Sequence, residues 1–421
     1  MSWHTIGDFI GALIVSYPFV MAWYWMVGSL LLYWLRGRHE PPQDQPPKLH
    51  EYPAVSILVP CHNEEDTVEE TLTVLARMKY PDFEIIAIND GSKDRTAEIL
   101  DRLAQEIPPL RVIHLAQNQG KSAALNVAAL LARGEILVGT DADALLDHDS
   151  VTWFVRRLQS DVHLGAVTGN PRIRNRTSIL GRLQVGEFSS IIGLIKRAQT
   201  AYGRCFTVSG VMCAYRKRAL FSVGWWSPKT LTDDVEVSWR LELKRWRIAY
   251  EPRAICWILM PETLKGLWRQ RLRWAVGGTQ AVFASTYFVF FGKGGWRMLI
   301  IWLNYMVSIA WATAVVIAVA ASIVAVLLRL FGWKDFPILL NPVADYPGLF
   351  IAVTYFLQAF ISLALDARFD KGMLKFVFWI VWYPLVFWLL QALTAFVAVP
   401  KALARAKGQA GTWTSPDRGI R

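Results

Sequence analysis

Polar clusters with chemistry-bearing side chains fall in a set order along this chain. Asp141-Ala142-Asp143 puts two carboxylates two positions apart, just after the apolar run Ile136–Gly139, so both can face one loop crevice. Hard divalent ions take oxygen ligands and share substrate phosphates, so the pair suits Mg²⁺ or Mn²⁺ held against a nucleoside diphosphate. In isolation it would more often be a solvated turn; the company it keeps reverses that. Asp90, in Asn89-Asp90-Gly91-Ser92, closes another apolar run, and Gly91 lets backbone approach a ligand. A carboxylate there suits the imide N–H of a uracil ring, with a self-bonded tight turn as the alternative. Thr232-Asp233-Asp234 opens an amphipathic stretch where a carboxylate can take a proton from an acceptor hydroxyl. The same residues also read as a helix N-cap with acids in the first turn, and the two readings are compatible. In Gln270-Arg271-Leu272-Arg273-Trp274, Arg273 suits diphosphate oxygens and Trp274 the face of a sugar. Arg and Trp also gather at membrane interfaces, but that gives no reason for Gln270. A weaker signal is Gln117-Asn118-Gln119-Gly120-Lys121, whose amides and lysine precede a helix and can meet an anion.

The elements that must position these residues follow from periodicity. Val55–Val59, Glu84–Ile88, Arg111–Leu115 and Ile136–Gly139 read as buried strands; Thr67–Met78, Thr96–Ile107 and Ser122–Ala132 read as helices. Alternation at this spacing predicts an α/β domain with a mostly parallel, Rossmann-like sheet. Ligands in such sheets bind beyond the carboxyl ends of the strands, where Asp90 and the Asp141/Asp143 pair fall. Around this domain lie apolar runs. Phe9–Leu35 carries no charge and can cross a hydrocarbon core of about 30 Å. Arg36 and Arg38 follow it, placing that end in the cytoplasm, and the proline-rich stretch Pro41–Pro53 reads as a stiff linker. Leu264–Phe291 mixes Arg and Lys with Trp and Leu, as an interfacial helix does. Three further spans are expected, at about Met298–Leu328, Gly348–Leu365 and Phe376–Val399, the last divided by Pro384 and so kinked or re-entrant as an alternative. Four spans would leave the basic tail (Lys401, Arg405, Lys407) outside, against the charge rule, so the side of the C-terminus stays open. The expected units are 1–50 (span and linker), 51–262 (catalytic), 263–295 (interfacial helices), 296–399 (spans) and 400–421 (tail).

Composition agrees. Hydrophobic residues make up 53% of the 421, mean hydropathy is positive, and many of the 20 tryptophans lie in or beside apolar runs, as expected of a membrane protein. The net charge of +11 fits a cytoplasmic face near anionic lipid better than nucleic acid, since no basic–aromatic array or zinc-finger pattern accompanies it. Cys61, Cys205, Cys213 and Cys256 form no CxxC or Cys/His pattern and read as reduced, mostly buried thiols. The N-terminus lacks a basic n-region and a small-residue cleavage site, so it does not read as a cleaved signal.

Taken together, these motifs resemble the family-2 glycosyltransferases with a GT-A fold, and among them the processive synthases of membrane-extruded polysaccharides. The stretches Val167–Arg174, Gly186–Arg197, Trp257–Trp268 and Ser415–Ile420 narrow the resemblance to the synthases of β-1,6-linked poly-N-acetylglucosamine, a biofilm exopolysaccharide. It covers nearly everything from Tyr52 onward. It implies an inverting, metal-dependent N-acetylglucosaminyltransferase of the bacterial inner membrane, multi-pass and with its catalytic domain in the cytoplasm. Carried over by position, it implies Glu64, Asp90, Lys121, Asp141 and Asp143 at the UDP-sugar, with Asp141 and Asp143 also holding Mg²⁺ or Mn²⁺. It implies Asp234 as base and Gln270, Arg273 and Trp274 at the diphosphate and acceptor. The growing polysaccharide, a small membrane partner subunit and cyclic di-GMP acting through the complex are further implied partners. One departure stands out: the family's Thr-Glu-Asp is Thr-Asp-Asp here, so Asp233 replaces a longer acid. Hyaluronan-, chitin- and cellulose-type synthases share this core, and the alternative outside the enzymes is a silent scaffold that binds UDP or lipid.

Overall fold

In the computed structural model, residues 3–332, 346–380 and 387–404 are described. After α1 (Trp3–Leu35), strands and helices alternate: β1 (Val55–Cys61), α2 (Val68–Leu75), β2 (Phe83–Asp90), α3 (Thr96–Glu106), β3 (Leu110–Leu115), α4 (Lys121–Leu131) and β4 (Ile136–Thr140). Every residue of β1 and β4 is buried, because helices cover both faces. Hence these segments read in sequence as continuous apolar runs rather than as alternating ones.

The chain continues through β5 (Leu145–Leu146), α5 (Ser150–Gln159), β6 (Leu164–Ile173) and α6 (Ile179–Phe188). A π-helical segment, Ser189–Ile195, joins α6 directly to α7 (Lys196–Ala201). Then come β7 (Met212–Arg216), α8 (Lys217–Ser222), α9 (Asp233–Leu243) and β8 (Arg247–Ile258). The eight strands of the described residues form one sheet in the order β3-β2-β1-β4-β7-β6-β8-β5. The half β3-β2-β1-β4 is parallel, β6 and β8 are parallel, and β7 runs antiparallel to both its neighbours.

Register determines what meets at the edge of the sheet. Cys61 lies opposite Asn89, and Leu58 opposite Gly139, so β1, β2 and β4 end side by side. Because β7 is reversed, its first residue, Met212, pairs with Thr140. That brings the turn Ser209-Gly210-Val211 against the exit of β4, where Asp141 and Asp143 begin.

The C-terminal part is helical: α10 (Leu264–Phe291), α11 (Leu299–Leu330), α12 (Tyr346–Asp366), α13 (Val377–Ile380) and α14 (Leu389–Ala404). Among the described residues, three segments are long and apolar enough to cross a membrane: Gly11–His39, Gly295–Leu330 and Leu349–Asp366. They coincide with the first three expected spans. The fourth expected span is described only as α13 and the shorter α14; Pro384 and the tail from Arg405, with Ser415–Ile420, lie outside the described residues. Trp25 and Met26 of α1, Leu194 and Ala198 of the α6–α7 helix and Leu365 of α12 share one apolar cluster, which seats the α/β unit on two of the long helices. Arg172 at the end of β6 and Arg197 both pair with the buried Asp366, and Arg176 pairs with Asp370.

Candidate active site

Beyond the strand ends a cleft of about 430 Å³ is lined by Glu64, Lys121, Asp141, Asp143, Asp233, Asp234, Gln270, Arg273 and Trp274, among others. Eight of the nine site residues that the sequence singled out therefore meet in one cavity. Asp90 does not. It is 0% exposed, and its two oxygens accept the backbone N–H groups of Gln119 and Gly120, each at 2.8 Å. The anion met by the Gln117–Lys121 amides is thus the protein's own Asp90, which clamps that loop instead of presenting an oxygen to a uracil in this arrangement. Gly120 supports the clamp with φ of +90°, a left-handed conformation that glycine adopts without a Cβ clash.

His62 ties the neighbouring ends together. Its Nδ1 bonds the Asp90 carbonyl at 2.7 Å, and its Nε2 faces the side-chain amides of Asn118 at 2.9 Å and Asn63 at 3.2 Å. An Nδ1–H tautomer satisfies all three contacts. Glu64, 1% exposed, accepts from the Thr67 hydroxyl at the start of α2.

Lys121 occupies the middle of the cleft. Its Nζ donates to Asp141 Oδ1 at 2.5 Å and to the Gly210 carbonyl at 3.1 Å. Burial works against the ammonium, but Asp141, Asp233 and Asp234 outweigh it and hold its pKa above the ordinary lysine value. Gly210 also reaches the other carboxylate, its N–H donating to Asp234 Oδ2 at 2.9 Å. Asp234 stands in the first turn of α9 and takes a second backbone bond, from Val235 N–H, on Oδ1. Burial above all, and then the adjacent Asp233 charge, push its pKa up; Lys121 and the two backbone donors oppose this without cancelling it. A carboxylate raised in this way is a better proton acceptor than a solvated one.

Thr232 is the N-cap of α9, yet its side chain makes no capping bond. Its Oγ1 is instead buried against α10, where an added Cβ on Gly277 would lie 2.4 Å away. The absence of a side chain at Gly277 is what lets the base-bearing helix start sit flush on the helix that carries Gln270, Arg273 and Trp274.

Two residues outside the predicted set hold that second helix in place. Arg271, 4% exposed, forks onto Glu187, 1% exposed, through Nε at 3.1 Å and Nη2 at 2.5 Å. Its remaining nitrogen donates to Gln270 Oε1 at 2.6 Å, and its guanidinium lies 4.4 Å from the Trp274 ring centroid. One buried cation thereby fixes both Gln270 and Trp274. Arg271 was visible inside the pentapeptide but carried no sign that it points inward; Glu187 lies 84 residues away in sequence, and no local spacing marks the partnership. The chemistry available is a pair of oxygen donors, fixed cations, a raised carboxylate and an aromatic wall that is 37% exposed.

Comparison with known proteins bears on what that chemistry serves. The model of the glycosyl transferase family 2 matches residues 56–223. The chain is 38% identical over 407 residues to a Staphylococcus aureus protein named poly-β-1,6-N-acetyl-D-glucosamine synthase, covering 96% of this chain and 98% of the relative. A Staphylococcus epidermidis protein of the same name is 36% identical over 410 residues, with the same coverage. In fold, the chain resembles the mannosyltransferase PcManGT of Pyrobaculum calidifontis, solved with GDP-Man and Mn²⁺, at a TM-score of 0.61 and 22% identity, covering 94% of this chain and 99% of that one.

Proposed function

Because the chain belongs to glycosyl transferase family 2, among the poly-β-1,6-N-acetyl-D-glucosamine synthases, we propose that it builds β-1,6-linked poly-N-acetylglucosamine from UDP-N-acetylglucosamine by inverting transfer. The observation that carries the mechanism is Asp234: a half-buried carboxylate of raised pKa, aimed by Gly210 into the cleft that Asp141, Asp143, Gln270, Arg273 and Trp274 also line.

In the transfer, the 6-hydroxyl at the acceptor end passes its proton to Asp234 while its oxygen attacks C1 of the donor sugar. The attack comes from the face opposite UDP. The bond from C1 to the diphosphate oxygen breaks, its electron pair departs with UDP, and the configuration at C1 inverts to β. Lys121, held by Asp141 and the Gly210 carbonyl, presents fixed positive charge to the departing diphosphate, and preorganised charge of this kind in a cleft needs little reorganisation during the reaction; Arg273 adds a second cation from the cleft wall. Trp274 offers its ring to the acceptor sugar, held at its angle by Arg271.

Asp141 and Asp143 fit a divalent ion: both are hard oxygen donors in the cleft wall, and the Lys121 ammonium already stands where Asp141 favours a cation. When bound, Mg²⁺ or Mn²⁺ would neutralise charge building on the leaving diphosphate. We assign catalysis to residues 51–262 with the helix segment 263–295, and anchorage to the apolar helices before and after. The enzyme is membrane-associated; we infer a bacterial inner-membrane, multi-pass protein with its cleft in the cytoplasm and export of the polymer along the helices. A small membrane subunit and cyclic di-GMP control belong to the same proposal and rest on the likeness to related synthases.

Asp234→Asn tests the mechanism. The variant is expected to keep UDP binding, followed by titration, and to lose polymer synthesis by about 10²–10⁴-fold. Near wild-type polymerisation would move the base elsewhere, with Asp233 the first candidate.

A further inference from the structure

A second, smaller pocket lies on the far side of the α6–α7 helix from the cleft, with a volume of about 60 Å³. Five arginines line it: Arg36, Arg157, Arg197, Arg253 and Arg368. Among the described residues, two carboxylates, Glu40 and Glu251, share the wall, and both are engaged by Arg253. Arg197 pairs with Asp366, and Arg368 donates to the Gly37 carbonyl.

What sets the pocket apart is a group of buried polar atoms left without a hydrogen-bond partner among the described residues. Arg157 Nε, Arg197 Nη2, Arg253 Nη1 and the Tyr250 hydroxyl are all in this state, and all four residues line this one pocket. Arg197, Tyr250 and Arg253 are each at most 4% exposed. A buried donor without an acceptor is costly, so a cluster of them signals an acceptor that completes the site. Three of the four are cationic donors, which selects an anion over water. Burial above all, with Arg36 and Arg253 adding and Glu251 and Glu40 opposing, lowers the Arg157 guanidinium from its ordinary value, as crowded positive charge does. A volume of 60 Å³ holds about four to six water-sized atoms, the bulk of a tetrahedral oxyanion and too little for a sugar or base.

Position narrows the source. Leu32, Tyr33 and Gly37 bring the end of the apolar segment Gly11–His39 to the pocket, and Leu365 brings the end of Leu349–Asp366. Arg36 and Arg368, both exposed, form the outer wall at those two ends. Basic groups beside the ends of membrane helices are where lipid phosphates lie. We propose that this pocket binds the phosphate of an anionic phospholipid in the leaflet facing the catalytic unit. The lipid would complete the wall between α1, α12 and the α6–α7 helix, whose opposite side lines the cleft.

The full chain in nanodiscs tests this, with Tm followed as phosphatidylglycerol is added stepwise to phosphatidylcholine. Wild type should gain Tm saturably, as a ligand of the native state requires. Tyr250→Phe changes no charge, so general attraction between a basic protein and anionic lipid is unaffected. In pure phosphatidylcholine it should be at least as stable as wild type, because it deletes an unpartnered hydroxyl. With phosphatidylglycerol its half-saturation should rise about tenfold, the loss of one hydrogen bond to a charged group. Arg157→Gln should also weaken the response and serves as the readout if Tyr250→Phe fails to fold. No saturable gain in wild type, or variants that respond as wild type does, would overturn the site. Inorganic phosphate titrated into phosphatidylcholine discs should give no comparable gain; if it reproduces the shift and Tyr250→Phe blunts it, the lipid is overturned in favour of a soluble phosphate.

Discussion

At Asp234 two opposing influences meet within one side chain. Burial and Asp233 favour the protonated form; Lys121 and the backbone N–H groups of Gly210 and Val235 favour the charged one, and the first pair wins. The base must be ionised to work, so activity should rise with pH through a midpoint above the ordinary carboxylate range. Asp233→Asn removes a like charge from beside Asp234, lowering its pKa, and should move that acidic limb to lower pH in a rate–pH profile. A limb that stays put or moves up would show that Asp233 does not set the proton affinity of the base. Arg271 makes a different prediction. Removing one partner of a buried ion pair costs about 3–5 kcal/mol, so alanine would confuse folding with function. Arg271→Lys keeps the charge but not the planar fork that spans Glu187, Gln270 and Trp274. Turnover should fall by at least tenfold, with Kd for UDP changed far less and the variant still folded. Unchanged turnover would free Gln270 and Trp274 from any dependence on Arg271.

Among the elements, the contact between α9 and α10 carries the geometry that joins base to acceptor wall. A Cβ on Gly277 would come within 2.4 Å of Thr232 Oγ1 and 2.6 Å of its Cγ2, closer than such atoms can stay. Gly277→Ala should therefore push the two helices apart at the cleft. Displacements near 1 Å can cost about 10²-fold in rate, and a loss of that order in kcat is expected with little change in Tm. Adding Thr232→Ala removes the two nearest obstructing atoms, leaving Cβ at 2.9 Å, and should restore part of the rate, a coupling that a double-mutant cycle reads directly. Full activity in the single variant would mean that the helix spacing is not critical. This contact also marks where sequence stopped being informative. The helix starting at Asp233 and the one over Leu264–Phe291 were legible from charge and aromatic patterning, and the alternating elements up to β4 from apolar periodicity. The antiparallel β7, the π-helical join between α6 and α7 and the Gly277–Thr232 contact were not, because each depends on partners far away in sequence. Asp90 shows the same limit. Its place at a strand end was readable, but its capture by the Gln119 and Gly120 amides required the fold.

For the whole molecule, a parallel half-sheet ends beside a reversed strand, and helices long and apolar enough for a membrane grip the same unit that bears the cleft. Metal dependence is one consequence. Turnover should vanish in EDTA and return with Mg²⁺ or Mn²⁺, whereas full activity in EDTA would leave Asp141 as the partner of Lys121 and contradict the metal role of the pair. The product is the sharper consequence, since synthases of several linkages share this core, and with N-acetylglucosamine as the donor sugar the acceptor hydroxyl decides which linkage forms. The decisive measurement is linkage analysis of the polymer made by the purified full chain from UDP-N-acetylglucosamine with a divalent ion. A β-1,6-linked N-acetylglucosamine polymer, lost in Asp234→Asn, is the expected result. A polymer joined through another hydroxyl, or UDP release with no polymer, would contradict it.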